Sequence, residues 1–355
     1  MDSKIINFTK KFLKIFSINV ILVLFFISFI ELFFGYWFDK DNFGPYMREH
    51  RMKNQRILWK YELEEIEYFY RRNYYGFRGT DINPSEITGI ILGSGLIDER
   101  YKPEKYTITE FLNKKLEKNN FDIKFINAGI EGQTSSGTVA SFEKWLFKLK
   151  NFSPNYIIFY LGKNDSLYQG MDMTNVNHGH ILNPEKKEVF FDNIKSRSII
   201  YDSIRKIKFK YLPRKGFVKY DGKIKENYTK EYDYTEYKTV NNQYDLIKLV
   251  SKNKEKISIY LKKIDKLNEY SKQLNSVPVF VTNIGSHGYD SNLFMYNQSL
   301  INHCKIKKYK CIDLAKKVRP DINYWYDHQH TTKKGSAHMA NLIYEDLKKI
   351  LTKSN

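Results

Sequence analysis

Cysteine is almost absent from this sequence: the 355 residues include only two, Cys304 and Cys311. Neither cysteine has the neighbours that metal ligation or thiol catalysis requires, so the sequence predicts neither a cysteine-ligated metal site nor a cysteine nucleophile. Cys304 falls in a predicted helix and Cys311 in a predicted strand. They could pair if the domain lies outside the cytoplasm, but these positions lead us to expect two buried free thiols.

Acidic residues are also scarce, with 40 Asp and Glu against 59 Lys and Arg and a formal charge of +19. Clustered basic residues would indicate phosphate binding, but here they are spread along the whole chain with abundant Asn, Ile and Tyr. We therefore expect no nucleic-acid partner, and the charge favours the anionic surface of a bilayer instead. The sequence has no low-complexity stretch, and its hydrophobic content of 42% is enough for a sizeable core.

Only one long apolar run is present, Ile15–Phe38, and Glu31 is its only charge. At about 1.5 Å per residue, the run can cross a hydrocarbon core of roughly 30 Å. No small-residue cleavage site follows it, so we expect a retained single-pass anchor. Lysines precede the run and Asp39 and Asp41 follow it, which predicts a cytoplasmic N-terminus and a periplasmic or extracellular domain. Glu31 either snorkels or pairs with a partner helix.

The sequence predicts three regions. Residues 1–38 form a cytoplasmic tip and anchor, residues 39–86 a juxtamembrane segment, and residues 87–355 the main domain. The juxtamembrane segment contains a helical candidate around Ile57–Tyr70. Within the main domain, residues 168–253 are rich in Lys, Tyr and Asp without a clear period, and we interpret them as a lid or insertion over the site.

Short apolar strands alternate with amphipathic helices in the main domain. This alternation implies parallel βαβ units, so we predict an α/β three-layer sandwich with a parallel sheet. Its ligand site should lie at the carboxyl ends of the strands. Predicted strands lie at Ile87–Leu92, Asp122–Asn127, Asn155–Leu161, Val277–Thr282 and Lys310–Leu314, and predicted helices at Tyr106–Lys118, Ser136–Lys150, Lys254–Leu274, Asn292–Lys307 and Thr332–Leu351.

Glycine or polar residues follow each of the first three strands, and an Asp-x-x-His pair precedes the last helix. The first turn is Gly93-Ser94-Gly95, the second contains Gly132 and the third contains Asn164. Taken singly, such turns are common. Their order, with each member at the end of the expected element, is much more specific.

These residues can form an acyl-transfer site. The backbone N–H of Gly132 and the side-chain amide of Asn164 can stabilise a developing oxyanion, and glycine lets the backbone approach the substrate closely. His330 can act as general base, with Asp327 orienting its imidazole. His328 is a rival base, but its spacing from Asp327 is less suitable.

From Asn73 to the C-terminus, the chain resembles the SGNH/GDSL hydrolase family, since the four blocks occur in the family's order. Gly76-Phe77-Arg78-Gly79 resembles the lead-in of anchored members. The resemblance implies a flavodoxin-like three-layer sandwich. It also implies hydrolysis or transfer of acyl esters on lipids, polysaccharides or cell-wall sugars, without a metal or organic cofactor.

The first block departs from the family, which has its nucleophilic serine as the third residue of this turn. Here Gly95 takes the serine position and Ser94 precedes it, and the following residues 98–101 fit the same register. Gly95 keeps its N–H for the oxyanion hole but has no oxygen to attack with. Three interpretations remain: Ser94 attacks from a locally shifted turn, the chain is an inactive homologue, or Gly95 is a change in this copy of an active lineage.

The leading prediction is therefore an esterase or O-acyltransferase acting on an acylated glycan or lipid, with Ser94, His330 and Asp327 as its triad. An inactive protein that binds such an acylated ligand is the alternative, and a tethered scaffold with a basic surface is the third. Ser135 and Ser136 beside Gly132 are interpreted as turn and cap residues of the next helix.

Overall fold

We analysed the chain as a computed structural model. Most of the predicted insertion at residues 168–253 falls outside the residues that the structure describes. The described residues are 3–38, 54–61, 64–167, 190–191, 194–195, 197–211, 218–221, 235, 243–319 and 321–352.

The described segments alternate between short strands and helices. The strands are β1 Asn54–Tyr61, β2 Glu64–Arg71, β3 Gly89–Gly93, β4 Phe125–Asn127, β5 Tyr156–Tyr160, β6 Val218–Asp221, β7 Val277–Val281 and β8 Lys310–Ile312. The α-helices are α1 Ser3–Phe34, α2 Gly95–Asp98, α3 Ile108–Lys118, α4 Ser135–Lys144, α5 Lys163–Leu167, α6 Ile199–Tyr211, α7 Gln243–Lys252, α8 Lys254–Gln273, α9 Ser291–Lys307 and α10 Lys333–Leu351.

Five strands form the central sheet in the order β4-β3-β5-β7-β8, and each neighbouring pair is parallel. Numbered along the chain within this sheet, the order is 2-1-3-4-5. That order is the flavodoxin-like form of the doubly wound α/β fold. The predicted flavodoxin-like α/β architecture with a parallel sheet is confirmed.

Alternate residues of the central strands face opposite sides of the sheet, because side chains in a strand alternate with a period of two. In β5, Ile157 and Phe159 pack with helices α4, α8 and α9 in one buried cluster. Ile158 and Tyr160 pack with helices α3 and α10 in the other. The sheet is thus covered on both faces, which gives the three layers.

Strands β1 and β2 occupy the stretch around Ile57–Tyr70, so the helix predicted there is wrong. β1 and β2 pair antiparallel, and β6 adds to β1 in parallel. Along β2, Tyr68 is half-buried and Tyr70 buried, while Glu67 and Phe69, which alternate with them, are exposed. This period of two, in a run rich in aromatic residues, is typical of a strand with one covered face.

The two cysteines form a disulfide between helix α9 and strand β8, so the expectation of two free thiols is wrong. The predicted positions on a helix and a strand are correct. The Cα atoms of Cys304 and Cys311 lie 6.3 Å apart, which is within the range that a disulfide spans. The two elements run side by side here because Tyr309 N–H bonds to the Cys304 carbonyl at 2.9 Å.

Helix α1 is the one described helix that is long and apolar enough to cross a membrane. Its apolar part, Phe8–Phe34, has a mean hydropathy of 2.5 and is 0% buried within the protein. The helix ends at Phe34, four residues before the end of the predicted run Ile15–Phe38. Its last turn closes where Gly35 N–H donates to the Glu31 carbonyl at 2.9 Å.

Candidate active site

Three loops meet at the carboxyl edge of the sheet because strands β3, β4 and β5 are parallel neighbours. The first and second loops are joined where Ile130 N–H donates to the Gly93 carbonyl at 2.9 Å. The second and third are joined where Asn164 Nδ2 donates to the Gln133 carbonyl at 3.0 Å. The structure therefore brings together the loops that carry Ser94, Gly132 and Asn164.

The Asp327–His330 pair lies in the loop before helix α10. His330 Nδ1 is 2.7 Å from Asp327 Oδ2, and the other carboxylate oxygen accepts the backbone N–H groups of Gln329 and His330 at 2.8 and 2.6 Å. With Nδ1–H donating to the carboxylate, His330 Nε2 is left as a proton acceptor. The pair has the geometry of a general base and its orienting acid.

The carboxylate of Asp327 stays ionised well into the acid range. Burial acts to raise its pKa, but the hydrogen bonds and charge of His330 and the N–H of Gln329 outweigh it and lower the pKa below its ordinary value. A depressed carboxyl pKa stabilises the fold above the unfolded-state value, and that stabilisation is lost as the pH falls through the folded-state value.

We therefore expect Asp327→Asn to lower the melting temperature clearly at pH 7 and much less at pH 3. The Asp327 carboxyl protonates at a higher pH in the unfolded chain than in the folded chain, because folding lowers its pKa. As the pH falls below the unfolded-state pKa, the native chain therefore loses stability that the variant never had. Thermal unfolding of both chains at the two pH values measures the difference. If the melting temperatures of the two chains differ equally at pH 7 and pH 3, the pKa of Asp327 is not lowered by folding.

Position 95 faces the base. A Cβ built on Gly95 would lie 3.4 Å from His330 Nε2 and 3.8 Å from Glu131 Cγ. Gly95 is not among the positive-φ residues, so its backbone suits any L-amino acid. A side chain at residue 95 would thus point at the imidazole without backbone strain, and glycine leaves that place without an oxygen.

Ser94 lies one residue earlier and serves as the N-cap of helix α2. Its side chain is buried, and Oγ accepts a long hydrogen bond from Leu96 N–H at 3.4 Å. The structure contains no hydrogen bond between Ser94 and His330. The predicted role of Ser94 as nucleophile thus requires its hydroxyl to leave the cap.

The three predicted oxyanion donors lie on the joined loops. Gly95 is the first residue of helix α2, where the backbone N–H has no partner within the helix. Gly132 adopts a φ of 73°, a left-handed conformation that favours glycine and lets this turn approach a ligand. Asn164 is buried and uses one amide hydrogen on Gln133, which fixes the side chain and leaves the other N–H.

Several residues around His330 were not predicted from the sequence. Tyr326 stacks on its ring with centroids 6.0 Å apart, and Tyr101 meets it edge-on at 6.4 Å. Glu131 lies beside position 95 and receives Arg100 Nη1 at 3.3 Å. Tyr326 directly precedes Asp327, and Glu131 directly precedes Gly132. Their positions next to predicted site residues are the sequence signal that could have identified them.

A buried ion pair joins the first block to the His330 loop. Lys102 is fully buried, and its ammonium donates to the Glu99 carboxylate, to the Thr331 carbonyl and hydroxyl, and to the Ser336 hydroxyl. Burial acts to lower the pKa of Lys102, and the charge of Glu99 opposes it. Because Thr331 directly follows His330, this cluster fixes the base relative to helix α2.

A base in this site would have to pair with Asp327, but His328 contacts His287 instead. Its Nδ1 is 3.1 Å from Nε2 of His287, and the two rings are stacked with centroids 5.2 Å apart. Within the described parts of the chain, no group of three His, Cys, Asp or Glu side chains could hold a metal ion.

Ser135 and Ser136, the two serines beside Gly132, lie in the first turn of helix α4. Ser135 is the first residue of helix α4, and its hydroxyl donates to the buried carboxylate of Asp165 at 2.6 Å. Thr134, rather than either serine, caps the helix by accepting from Gly137 N–H at 3.2 Å. The Ser136 hydroxyl is buried without a hydrogen-bond partner.

No protein-family model and no curated protein sequence matches this chain. Its fold is similar to several solved structures. An esterase from a Pseudoalteromonas species is 14% identical, with a TM-score of 0.44 over 75% of this chain and 99% of that one. A member of the lipolytic protein G-D-S-L family from Veillonella parvula is 13% identical, with a TM-score of 0.41 over 72% and 96% of the two chains.

An acetylxylan esterase from Geobacillus stearothermophilus, solved as a catalytic mutant, is 12% identical with a TM-score of 0.41. That similarity covers 73% of this chain and 92% of the esterase. All three neighbours are described as lipolytic proteins or esterases, and what this chain shares with them is the α/β fold.

Proposed function

We propose that this domain binds an acyl ester of an envelope glycan or lipid beside the membrane, in a site built like that of an SGNH ester hydrolase. The observation that carries the proposal is the position of Gly95. A Cβ there would lie 3.4 Å from His330 Nε2, so the base is aimed at the place where such a hydrolase holds its serine.

The remaining parts of the site suit the acyl carbonyl. The N–H groups of Gly95 and Gly132 and the free amide hydrogen of Asn164 would bind the carbonyl oxygen and any negative charge that develops on it. Asp327 holds His330 in the tautomer that accepts a proton at Nε2. Tyr326 and Tyr101 enclose the imidazole and limit its motion.

In the native chain, the site lacks a covalent nucleophile at position 95. When an enzyme loses its triad serine, its turnover falls about a million-fold. The oxyanion hole keeps the remaining rate about 10³ to 10⁴ above that in water. We therefore assign the native chain to ester recognition with slow turnover. The lysines that precede the apolar run Ile15–Phe38 support an exported domain, where acylated envelope components occur.

A second candidate function is an esterase or O-acyltransferase that uses Ser94. The observation that favours it is the length of the Ser94 cap bond, 3.4 Å from Oγ to Leu96 N. A bond of this length is weak, so releasing the hydroxyl toward His330 costs little. Against it stands the direction of the side chain, since one step along a helix start turns it by about 100°.

Fluorophosphonate labelling of the full-length chain distinguishes the two candidates. We expect the native chain to label no faster than its His330→Ala variant, because no serine is paired with the base. Labelling of the native chain that disappears in Ser94→Ala would establish Ser94 as the nucleophile and overturn the assignment to slow turnover. The labelled residue is identified by peptide mass spectrometry.

A further inference from the structure

Glu31, the single charge in the apolar run, caps a helix that begins 168 positions later in the chain. Its carboxylate accepts from the Ser198 hydroxyl at 2.5 Å and from the backbone N–H groups of Ile199 and Ile200 at 3.2 and 3.1 Å. These N–H groups belong to the first turn of helix α6, where a helix lacks internal partners and favours a negative charge. Trp37 Nε1 also donates to Glu31 at 2.9 Å.

The cap fixes where helix α6 starts relative to the candidate membrane span. Glu31 lies three residues before Phe34, where the span ends, which is about 4.5 Å along the axis of helix α1. A backbone bond from Tyr36 N–H to the Arg197 carbonyl, 2.8 Å long, holds the same junction. When helix α1 spans a bilayer, helix α6 therefore begins at its boundary.

Helix α6 presents apolar side chains that no described residue covers. Ile204 and Ile207, three residues apart on one helix face, are 58% and 55% exposed. Phe190 and Phe191, shortly before the helix, are 62% and 55% exposed. Single exposed apolar residues are ordinary, but an exposed pair on one face of a helix that contacts the apolar helix α1 indicates a contact surface.

The sequence of helix α6, IIYDSIRKIKFKY, combines this apolar spacing with four basic residues and one acidic residue. A basic amphipathic helix is typical of segments that lie in the plane of an anionic membrane surface. We propose that helix α6 lies in the headgroup region of the bilayer that holds helix α1, with Ile204 and Ile207 inserted toward the acyl chains.

Such a contact would set the orientation of the candidate active site. Helix α6 packs against strand β1, and β1 pairs with β2. Tyr70 at the end of β2 donates to Asp98 at 2.8 Å, and the adjacent Arg72 forms a buried ion pair with the same carboxylate at 2.8 Å. Asp98 ends helix α2, so packed elements connect the membrane helix to position 95.

The test uses the full-length chain reconstituted into vesicles of phosphatidylcholine and phosphatidylglycerol. An environment-sensitive fluorophore is attached through Ile204→Cys or Ile207→Cys, with the native disulfide left intact. Ile247→Cys on helix α7 is the matched control, because Ile247 is also exposed, at 62%. Phe25→Cys within helix α1 reports whether the span is inserted.

We expect the probes at residues 204 and 207 to be quenched at least twofold by lipids spin-labelled near the headgroup, and the probe at residue 247 to be unaffected. Glu31→Leu should reduce quenching at residue 207 and leave residue 25 quenched. If the probes at 204 and 207 behave like the one at 247 while residue 25 is quenched, the proposal is overturned. An unquenched probe at residue 25 overturns the membrane span and with it this contact, but leaves the ester site untouched.

Discussion

Gly95→Ser is expected to raise ester hydrolysis by about 10⁴-fold or more, since loss of a triad serine elsewhere lowers turnover by about 10⁶. The new Cβ would lie 3.4 Å from His330 Nε2, which brings Oγ within hydrogen-bond reach of the base. The backbone at residue 95 needs no adjustment because its φ is not positive. Release of p-nitrophenol from p-nitrophenyl acetate measures the rate, and fluorophosphonate labelling locates the nucleophile.

Gly95→Ala is the matched control, because it adds the same Cβ without an oxygen. We expect it to keep the native rate, and Gly95→Ser combined with His330→Gln to return to that rate. If Gly95→Ser and Gly95→Ala hydrolyse the ester equally slowly, the base does not address position 95 and the proposed ester site is wrong. A gain only with longer acyl chains would instead define the acyl group that the site accepts.

The central strands could be predicted because they are buried on both faces and are continuously apolar. The runs at Ile87–Leu92 and Asn155–Leu161 predicted β3 and β5 to within two residues. The predicted strand at Asp122–Asn127 is shortened to Phe125–Asn127. That strand lies at the sheet edge with one neighbour, so pairing supports fewer of its residues.

The pairing of β1 with β2 and the disulfide could not be predicted from residue spacing. Around Ile57–Tyr70 the apolar residues fit a helical spacing as well as a strand, and strand β6, which pairs with β1, comes more than 150 positions later. Spacing alone also cannot show that a helix and a strand place Cys304 and Cys311 6.3 Å apart. The cap that Glu31 supplies to helix α6 joins residues 169 positions apart, and no local pattern indicates such a contact.

The residues of the candidate site were easier to predict from the sequence than the contacts that hold them in place. The order of the loops follows from strand order, so the meeting of Gly132, Asn164 and the Asp327–His330 pair at one edge of the sheet could be predicted from sequence position. The ion pair between Glu99 and Lys102 had no sequence signal, because residues three apart on a turn usually lie in solvent. The pair is buried where it bonds to Thr331, to Ser336 in helix α10 and to Ile108 in helix α3.

Lys102→Met should destabilise the fold by about 3 to 5 kcal/mol, because it leaves the Glu99 carboxylate buried without its counter-charge. The Glu99 and Lys102 side chains are 2% and 1% exposed, so water cannot replace the lost ammonium. For a domain of this size, that loss corresponds to a melting temperature lowered by roughly 6 to 20 °C. Thermal unfolding of the full-length chain in detergent measures it.

The double variant Glu99→Gln with Lys102→Met separates the buried charge from the lost packing. Removing both charges together is often nearly neutral for a buried pair, so we expect the double variant to recover most of the melting temperature. Glu99 also accepts from Ile108 N–H through Oε2 and from the Ser336 hydroxyl through Oε1. A glutamine can keep its oxygen on Ile108 N–H and donate its amide to the Ser336 hydroxyl, which can accept. A double variant as unstable as Lys102→Met would contradict the charge argument. In that case the lysine acts through its hydrogen bonds to Thr331, the residue directly after His330.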